Sequence, residues 1–191
     1  KILDLAKVKV RSYIRILNMK EGYLERSFTW PLSKNKNIEI NSRRFLSMAD
    51  PDLGIIRYSV KFVDFTGTAD FNIYLDGDVR NEDTNYGEKF WEDVYNHADA
   101  GSGILTSRTL KTDFHVSTGM IYEIHKNGKR IKIKPEVISR KGYVSNKITV
   151  NFSPGDELVL IKFVSVQSSL YYKKKDLVEI TRKRLELAVR K

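Results

Sequence analysis

Residues 56–62, IRYSVKF, alternate apolar and polar side chains. Successive side chains of a strand point to opposite faces, so the apolar members of this run would share one buried face. Residues 158–166, LVLIKFVSV, are apolar at nearly every position, which is typical of a strand covered on both faces. The period of two recurs in four further segments, 71–75, 120–124, 131–133 and 144–150.

Turn signals separate these runs. Asn127-Gly128 favours a type I′ hairpin turn, and Pro154-Gly155 suits a type II turn. Asp50-Pro51 and Thr66-Gly67 mark two further breaks. Many short strands with such spacing predict an all-β, antiparallel sandwich or barrel over residues 1–172.

Two stretches depart from this pattern. Residues 174–191, KKDLVEITRKRLELAVRK, repeat apolar side chains at helical spacing, which predicts an amphipathic helix over about 174–190. Residues 82–107 lack alternation and contain Gly101-Ser102-Gly103. They predict a long loop with a glycine hinge and one helical turn around residues 90–95.

Composition limits the classes of function. The 191 residues carry a net charge of +10, which is concentrated in segments 126–147 (+7) and 173–191 (+5). Because the rest of the chain is nearly neutral, this charge distribution favours contacts with a partner surface over binding along the continuous phosphate backbone of a nucleic acid. The chain has no cysteine, which excludes disulfide scaffolds and thiol nucleophiles and fits a reducing, cytoplasmic location. No apolar run is long enough to predict a membrane span.

Motifs for catalysis are missing from the chain. Asp76-Gly77-Asp78 resembles a calcium loop, but Arg80 and Asn81 stand where a ligand and a glycine are needed, so a turn that ends the 71–75 strand is the better interpretation. The three histidines have no metal-ligand spacing, and no metal site is predicted. His115 and His125 are expected to be hydrogen-bonded within strands. His97 is expected to face a site.

Three blocks resemble a known family. They are 17–28, LNMKEGYLERSF; 42–60, SRRFLSMADPDLGIIRYSV; and 75–81, LDGDVRN. Their sequence, order and spacing are similar to the N-terminal domain of glycoside hydrolase family 65, which includes maltose, kojibiose and trehalose phosphorylases. The resemblance covers essentially the whole chain, and the 42–51 part carries most of it.

The resemblance implies a fold and a parent activity. The fold would be a super-sandwich of the galactose-mutarotase type over 1–172, without its opening strands, followed by a basic linker helix over 173–191 that leads to an absent (α/α)₆ catalytic barrel. The parent would be an inverting phosphorylase of an α-glucoside, with the barrel and a homodimer mate as partners, a disaccharide as substrate and inorganic phosphate as its co-substrate. A hydrolase of the same family stays open as the alternative. No other cofactor, nucleic acid or membrane is implied. The general acid would lie in the barrel, so no catalytic residue is assigned to this chain.

The segment from the first acidic turn to the glycine hinge is the candidate site. It is expected to face the catalytic barrel, a dimer mate or a substrate pocket through Asp76, Asp78, Asn81, Trp91 and His97. Two alternatives stay open. One is a stand-alone carbohydrate-binding sandwich that stacks sugars on Trp30, Trp91 and the tyrosine side chains. The other, ranked last, is a nucleic-acid-binding domain that uses the basic hairpin and tail.

Overall fold

Strands run through nearly the whole chain. The computed structural model describes residues 2–78 and 89–190, which form twelve strands, a 3₁₀ turn (Lys174–Asp176) and helix α1 (Leu177–Arg190). The strands are β1 (Arg11–Asn18), β2 (Tyr23–Ser33), β3 (Lys36–Leu46), β4 (Leu53–Phe62), β5 (Gly67–Asp76), β6 (Trp91–Asp99), β7 (Ser102–Thr109), β8 (His115–Lys126), β9 (Lys129–Ile131), β10 (Glu136–Arg140), β11 (Tyr143–Phe152) and β12 (Glu157–Ser168). The pairs β1–β2, β2–β3, β3–β4, β6–β7, β7–β8, β8–β9 and β10–β11 are all antiparallel. The prediction of an all-β chain with a C-terminal helix is confirmed.

The chain divides into two compact units. Unit 1 comprises Lys1–Asp70, Tyr122–Ile133 and Thr149–Lys162. Its strands follow the order β1-β2-β3-β4-β12-β8, with β9 paired to β8. In its core, Phe62 and Phe152 stack with ring centroids 3.5 Å apart, and Phe65 packs edge-on against both. The buried Phe62 and Val60 confirm the apolar face predicted for 56–62.

Unit 2 comprises Phe71–Ile121, Lys134–Ile148 and Phe163–Lys191. One of its sheets follows the order β12-β8-β7-β6, and a three-stranded sheet follows β10-β11-β5. Helix α1 buries a stripe of residues spaced four apart, Leu177, Thr181 and Leu185, and contacts β7. Within residues 2–78 and 89–190, no helix combines the length and apolar character that a membrane span requires.

The predicted hairpin turn at Asn127-Gly128 is confirmed. Both residues have positive φ, 52° and 77°, as a type I′ turn requires. The Asn127 side chain also ties the turn to the start of β12, because its Oδ1 accepts a hydrogen bond from the Glu157 backbone N at 2.9 Å. Its Nδ2 donates to Asp156 Oδ1 at 2.7 Å.

The prediction of a long loop over 82–107 is wrong for the part that the structure describes. Residues 91–109 form the β6–β7 hairpin, and no helical turn occurs at residues 90–95. A register shift between Asp93 and Tyr95 marks a bulge, which breaks the period of two and hides the strand from pattern reading. Gly101 takes the hairpin turn at φ +99°, so the predicted hinge is a tight turn between two paired strands.

Candidate functional site

The acidic turn predicted after the 71–75 strand is present. Asp76 is the last residue of β5, and its Oδ1 accepts a hydrogen bond from the Asp78 backbone N at 2.9 Å. The Gly77 backbone N donates to the carbonyl of Gly142 at 2.8 Å. The exposed carboxylate of Asp78 forms an ion pair with Lys89. Two hydrogen bonds and one exposed ion pair therefore anchor this turn.

A close approach places the turn against β7. A Cβ atom on Gly77 would lie 2.6 Å from Leu105 Cδ2 and 3.1 Å from Ser107 Oγ. Such contacts are shorter than packed side chains tolerate, so a side chain at this position would displace the buried Leu105. The turn that carries Asp76 and Asp78 therefore lies on the face of the β6–β7 hairpin to which Leu105 and Ser107 point.

His97 lies on strand β6, not on a loop. Its Nε2 is 3.1 Å from Asp99 Oδ2, and half of its side chain is exposed. The Tyr95 ring lies nearby on the same strand, with ring centroids 6.5 Å apart. Residues two apart on a strand share a face, so Tyr95, His97 and Asp99 form one polar row.

The hairpin separates His97 from the acidic turn. His97 pairs with Ile104, and residues directly opposite in an antiparallel pair share a face. Ile104 pairs with Gly119, whose Cβ would point at Thr181 and Leu185 of α1. His97 is therefore on the helix side, whereas Asp76 and Asp78 are on the Leu105 side. The structure does not bring these candidates together in one site.

Of the other two candidates, Trp91 and Asn81, only Trp91 lies within the described residues. Trp91 begins β6 opposite Thr109 and is partly buried. Asn81 lies outside the described residues. Trp30, the proposed second sugar platform, has only 7% of its surface exposed on β2 and cannot stack on a sugar ring.

A polar cluster that pattern reading missed holds the β6–β7 hairpin. Asn146 on β11 is fully buried; its Oδ1 accepts from the Gly101 backbone N at 2.8 Å, and its Nδ2 donates to the Ser102 carbonyl at 3.2 Å. On β10, Ser139 Oγ donates to Asn96 Oδ1 at 3.0 Å. In the sequence, Asn146 occupies one of the alternate positions that otherwise carry the apolar residues of β11, and this position indicates a buried amide.

A second cluster ties the start of the helix to the β7–β8 turn. Asp113 Oδ1 lies 2.8 Å from His115 Nε2, and its Oδ2 accepts a hydrogen bond from Lys174. Arg108 Nη1 lies 3.5 Å from the same carboxylate. The Lys174 ammonium, followed by the His115 ring, holds the pKa of the Asp113 carboxyl well below its usual range. The expectation of hydrogen-bonded strand histidines is confirmed for His115 and for His125, which lies 3.4 Å from Glu123.

The replacement Asp113→Asn is expected to lower the melting temperature at pH 7 and to have no effect in strong acid. A carboxyl whose folded-state pKa is lowered contributes stability above its unfolded pKa of about 4, and this stability is lost as the pH falls towards the folded value. Melting temperatures of both proteins at pH 7, 5 and 3 would show the difference narrowing below about pH 4. The control Glu186→Gln removes an exposed carboxylate and should follow the wild type; a difference that persists at low pH would contradict the role of the Asp113 charge.

Comparisons with known proteins agree with this fold. The model of "Glycosyl hydrolase family 65, N-terminal domain" matches residues 1–191. This fold is similar to a solved structure, that of a protein from the human microbiome named as a kojibiose phosphorylase. The two superimpose with a TM-score of 0.83 at 23% sequence identity, and the aligned part covers 99% of this chain and 24% of that protein's chain. At that identity the superposition shows the fold alone.

Curated relatives are similar over most of this chain and only part of their own. Maltose phosphorylase of Bacillus subtilis is 32% identical over 92% of this chain and 23% of its own length. Alpha,alpha-trehalose phosphorylase of Thermoanaerobacter brockii is 26% identical over 97% of this chain and 24% of its own length. The chain thus spans about a quarter of the relatives that it matches. Since the family model covers it from end to end, the chain belongs to the N-terminal domain family of glycosyl hydrolase family 65.

Proposed function

We propose that residues 1–191 form the non-catalytic N-terminal domain of an inverting disaccharide phosphorylase. The observation that carries this proposal is the end-to-end family match, together with relatives named as maltose and trehalose phosphorylases. In such a reaction a carboxylic acid protonates the leaving glycosidic oxygen, and phosphate takes the place of the attacking water. Maltose, kojibiose and trehalose are the candidate substrates.

Three carboxyl groups of the described residues have the opposite pKa shift to the one that a general acid needs. A general acid for glycoside cleavage needs a raised pKa, so that it holds its proton near neutral pH. In the described part of the chain, the carboxyl groups whose pKa clearly departs from its usual value are all shifted downward. They are Glu25, Asp113 and Asp156. The acid is proposed to come from the catalytic barrel of the same protein, as the family match implies.

The domain would support the barrel and a dimer mate. Helix α1 is proposed as the linker, with residues 1–172 as the β-domain before it. The acidic turn at Asp76 and Asp78 and the polar row at His97 are proposed as two separate contact surfaces, because the hairpin separates them. A cytoplasmic location belongs to the same proposal and is supported by the absence of cysteine. The burial of Trp30 argues against the stand-alone sugar-binding alternative.

Assays of the complete protein that contains residues 1–191 test this function. With inorganic phosphate and maltose, kojibiose or trehalose, it should release glucose 1-phosphate from at least one sugar, and residues 1–191 alone should release none. Asp78→Ala and His97→Ala in the complete protein should weaken substrate affinity or dimerisation more than they lower the melting temperature, with His125→Ala as the matched control. Turnover by residues 1–191 alone, lost on changing one carboxylate, would contradict the proposal.

A further inference from the structure

The two faces of the β1–β4 sheet in unit 1 differ in how their charges are paired. On one face, Glu25 Oε2 lies 2.7 Å from Arg43 Nε, and Glu39 Oε2 lies 4.0 Å from Lys61 Nζ. On the same face, Arg57 Nη2 lies 3.8 Å from Glu157 Oε1. Arg43, Arg57 and Lys61 on this face therefore each have a carboxylate within the unit.

The opposite face of the β1–β4 sheet carries the buried side chains of Phe28 and Ile40. Alternation along β2 and β3 and the β1–β2 register place six residues there, beyond the end of the core. We call this patch the open face; it consists of Arg15, Leu17, Leu24, Arg26, Arg44 and Leu46.

The three arginines of the open face have no acidic partner within the described ranges. No carboxylate of residues 2–78 and 89–190 forms an ion pair with Arg15, Arg26 or Arg44. Arg15 and Arg26 lie directly opposite each other across β1 and β2. Like charges in that position destabilise a sheet, so an anionic group placed between them would relieve the repulsion.

Apolar side chains of the open face are also uncovered. Leu17 is 66% exposed and Leu46 is 75% exposed. Protein interfaces have an apolar core and are enriched in arginine, because apolar burial supplies affinity and charge supplies specificity. A free phosphate would satisfy the arginines but leave the leucines in water. The mixture therefore favours a polypeptide over a small anion.

We infer that the open face binds a polypeptide segment of the same enzyme that lies outside residues 1–191 and presents carboxylates between apolar side chains. The chain spans 23% of the length of maltose phosphorylase, so most of such a relative's length lies outside the matched part. This inference rests on the proposed function, because it takes the remainder of the phosphorylase as the source of the segment. Charge complementarity determines the chemistry of the segment.

Arginine modification of the complete protein tests the inference. Phenylglyoxal reacts with accessible guanidinium groups, and mass spectrometry gives the rate at each arginine. Arg15 and Arg44 should react at least about tenfold more slowly than Arg130, whose side chain is 58% exposed on β9. Equal rates at the three positions would overturn the inference, and so would protection that is lost on dilution to the monomer, because it would identify a second copy as the occupant.

Charge reversal gives an independent measurement. Arg15→Glu with Arg26→Glu keeps a like-charged pair across β1 and β2 and should lower the melting temperature of the complete protein by several degrees, whereas Lys20→Glu with Lys34→Glu, which reverses two exposed turn charges of the same unit, should not. Equal melting temperatures would overturn the inference. If the first variant fails to fold, the modification rates of the wild type decide. Neither measurement depends on enzymatic turnover. Protected arginines in a protein without phosphorolysis would reject the proposed function alone. Reactive arginines in an active phosphorylase would reject the inference alone.

Discussion

Adding one methyl group at Gly119 is expected to lower the free energy of unfolding by about 2 kcal/mol. A Cβ atom there would lie 2.5 Å from Thr181 Cγ2 and 2.7 Å from Leu185 Cδ1. Both side chains are buried, so neither can rotate into solvent. The helix must move off the sheet of unit 2 and expose part of its apolar stripe. Urea unfolding of Gly119→Ala measures the loss, and hydrogen exchange should show faster exchange in α1.

Gly54→Ala is the matched control for this prediction. The Cβ atom there would lie 3.1 Å from Leu46 Cδ2, the end of an exposed side chain that can move away. In residues 1–191, where Leu46 is exposed, its effect on the free energy of unfolding should stay within about 0.5 kcal/mol. Thr181→Ser removes the clashing methyl but keeps the hydroxyl that donates to the Leu177 carbonyl at 2.8 Å, so it should partly rescue Gly119→Ala. A neutral Gly119→Ala would show that α1 is not packed as described.

Truncation of Asn146 is expected to cost about 2–3 kcal/mol of unfolding free energy. Asn146→Ala leaves a cavity in unit 2 and removes both hydrogen bonds to the β6–β7 turn, from the Gly101 N–H and to the Ser102 carbonyl. Buried polar groups that lose a partner retain their desolvation cost, which is why the loss exceeds that of an exposed hydrogen bond. Urea unfolding measures the cost, and the Gly101 amide should exchange its hydrogen faster.

Asn151→Ala provides the comparison for Asn146. Asn151 lies on the same strand, but its side chain is exposed, so its truncation should change stability by less than about 0.5 kcal/mol. Equal effects of the two variants, or an unchanged exchange rate at Gly101, would show that Asn146 does not hold the hairpin turn.

Part of the candidate site could be predicted from local chemistry. The Asp76 turn was predicted because aspartate bonds to the backbone two residues on, and Asp78 supplies that N–H. The loop assigned to 82–107 was wrong for the described residues because a bulge at Asp93–Tyr95 shifts the alternation along β6. The burial of Asn146 was not predicted, because the alternation along β11 was traced through its apolar residues alone.

The sequence by itself determined the class of fold and the family. Alternation over 56–62, the Asn127-Gly128 turn and the helical spacing after residue 174 are local signals, because strand, turn and helix periods arise within a few neighbouring residues. Only the tertiary structure decided which faces meet. The register of β6 with β7 places His97 on the helix side and the Asp76 turn on the other, and that register follows from the packing of residues far apart in the chain. The tertiary structure also decided which charges are paired. Glu25 forms an ion pair with Arg43, whereas Arg15 lies directly opposite Arg26. The spacing of these residues along the chain does not predict that difference.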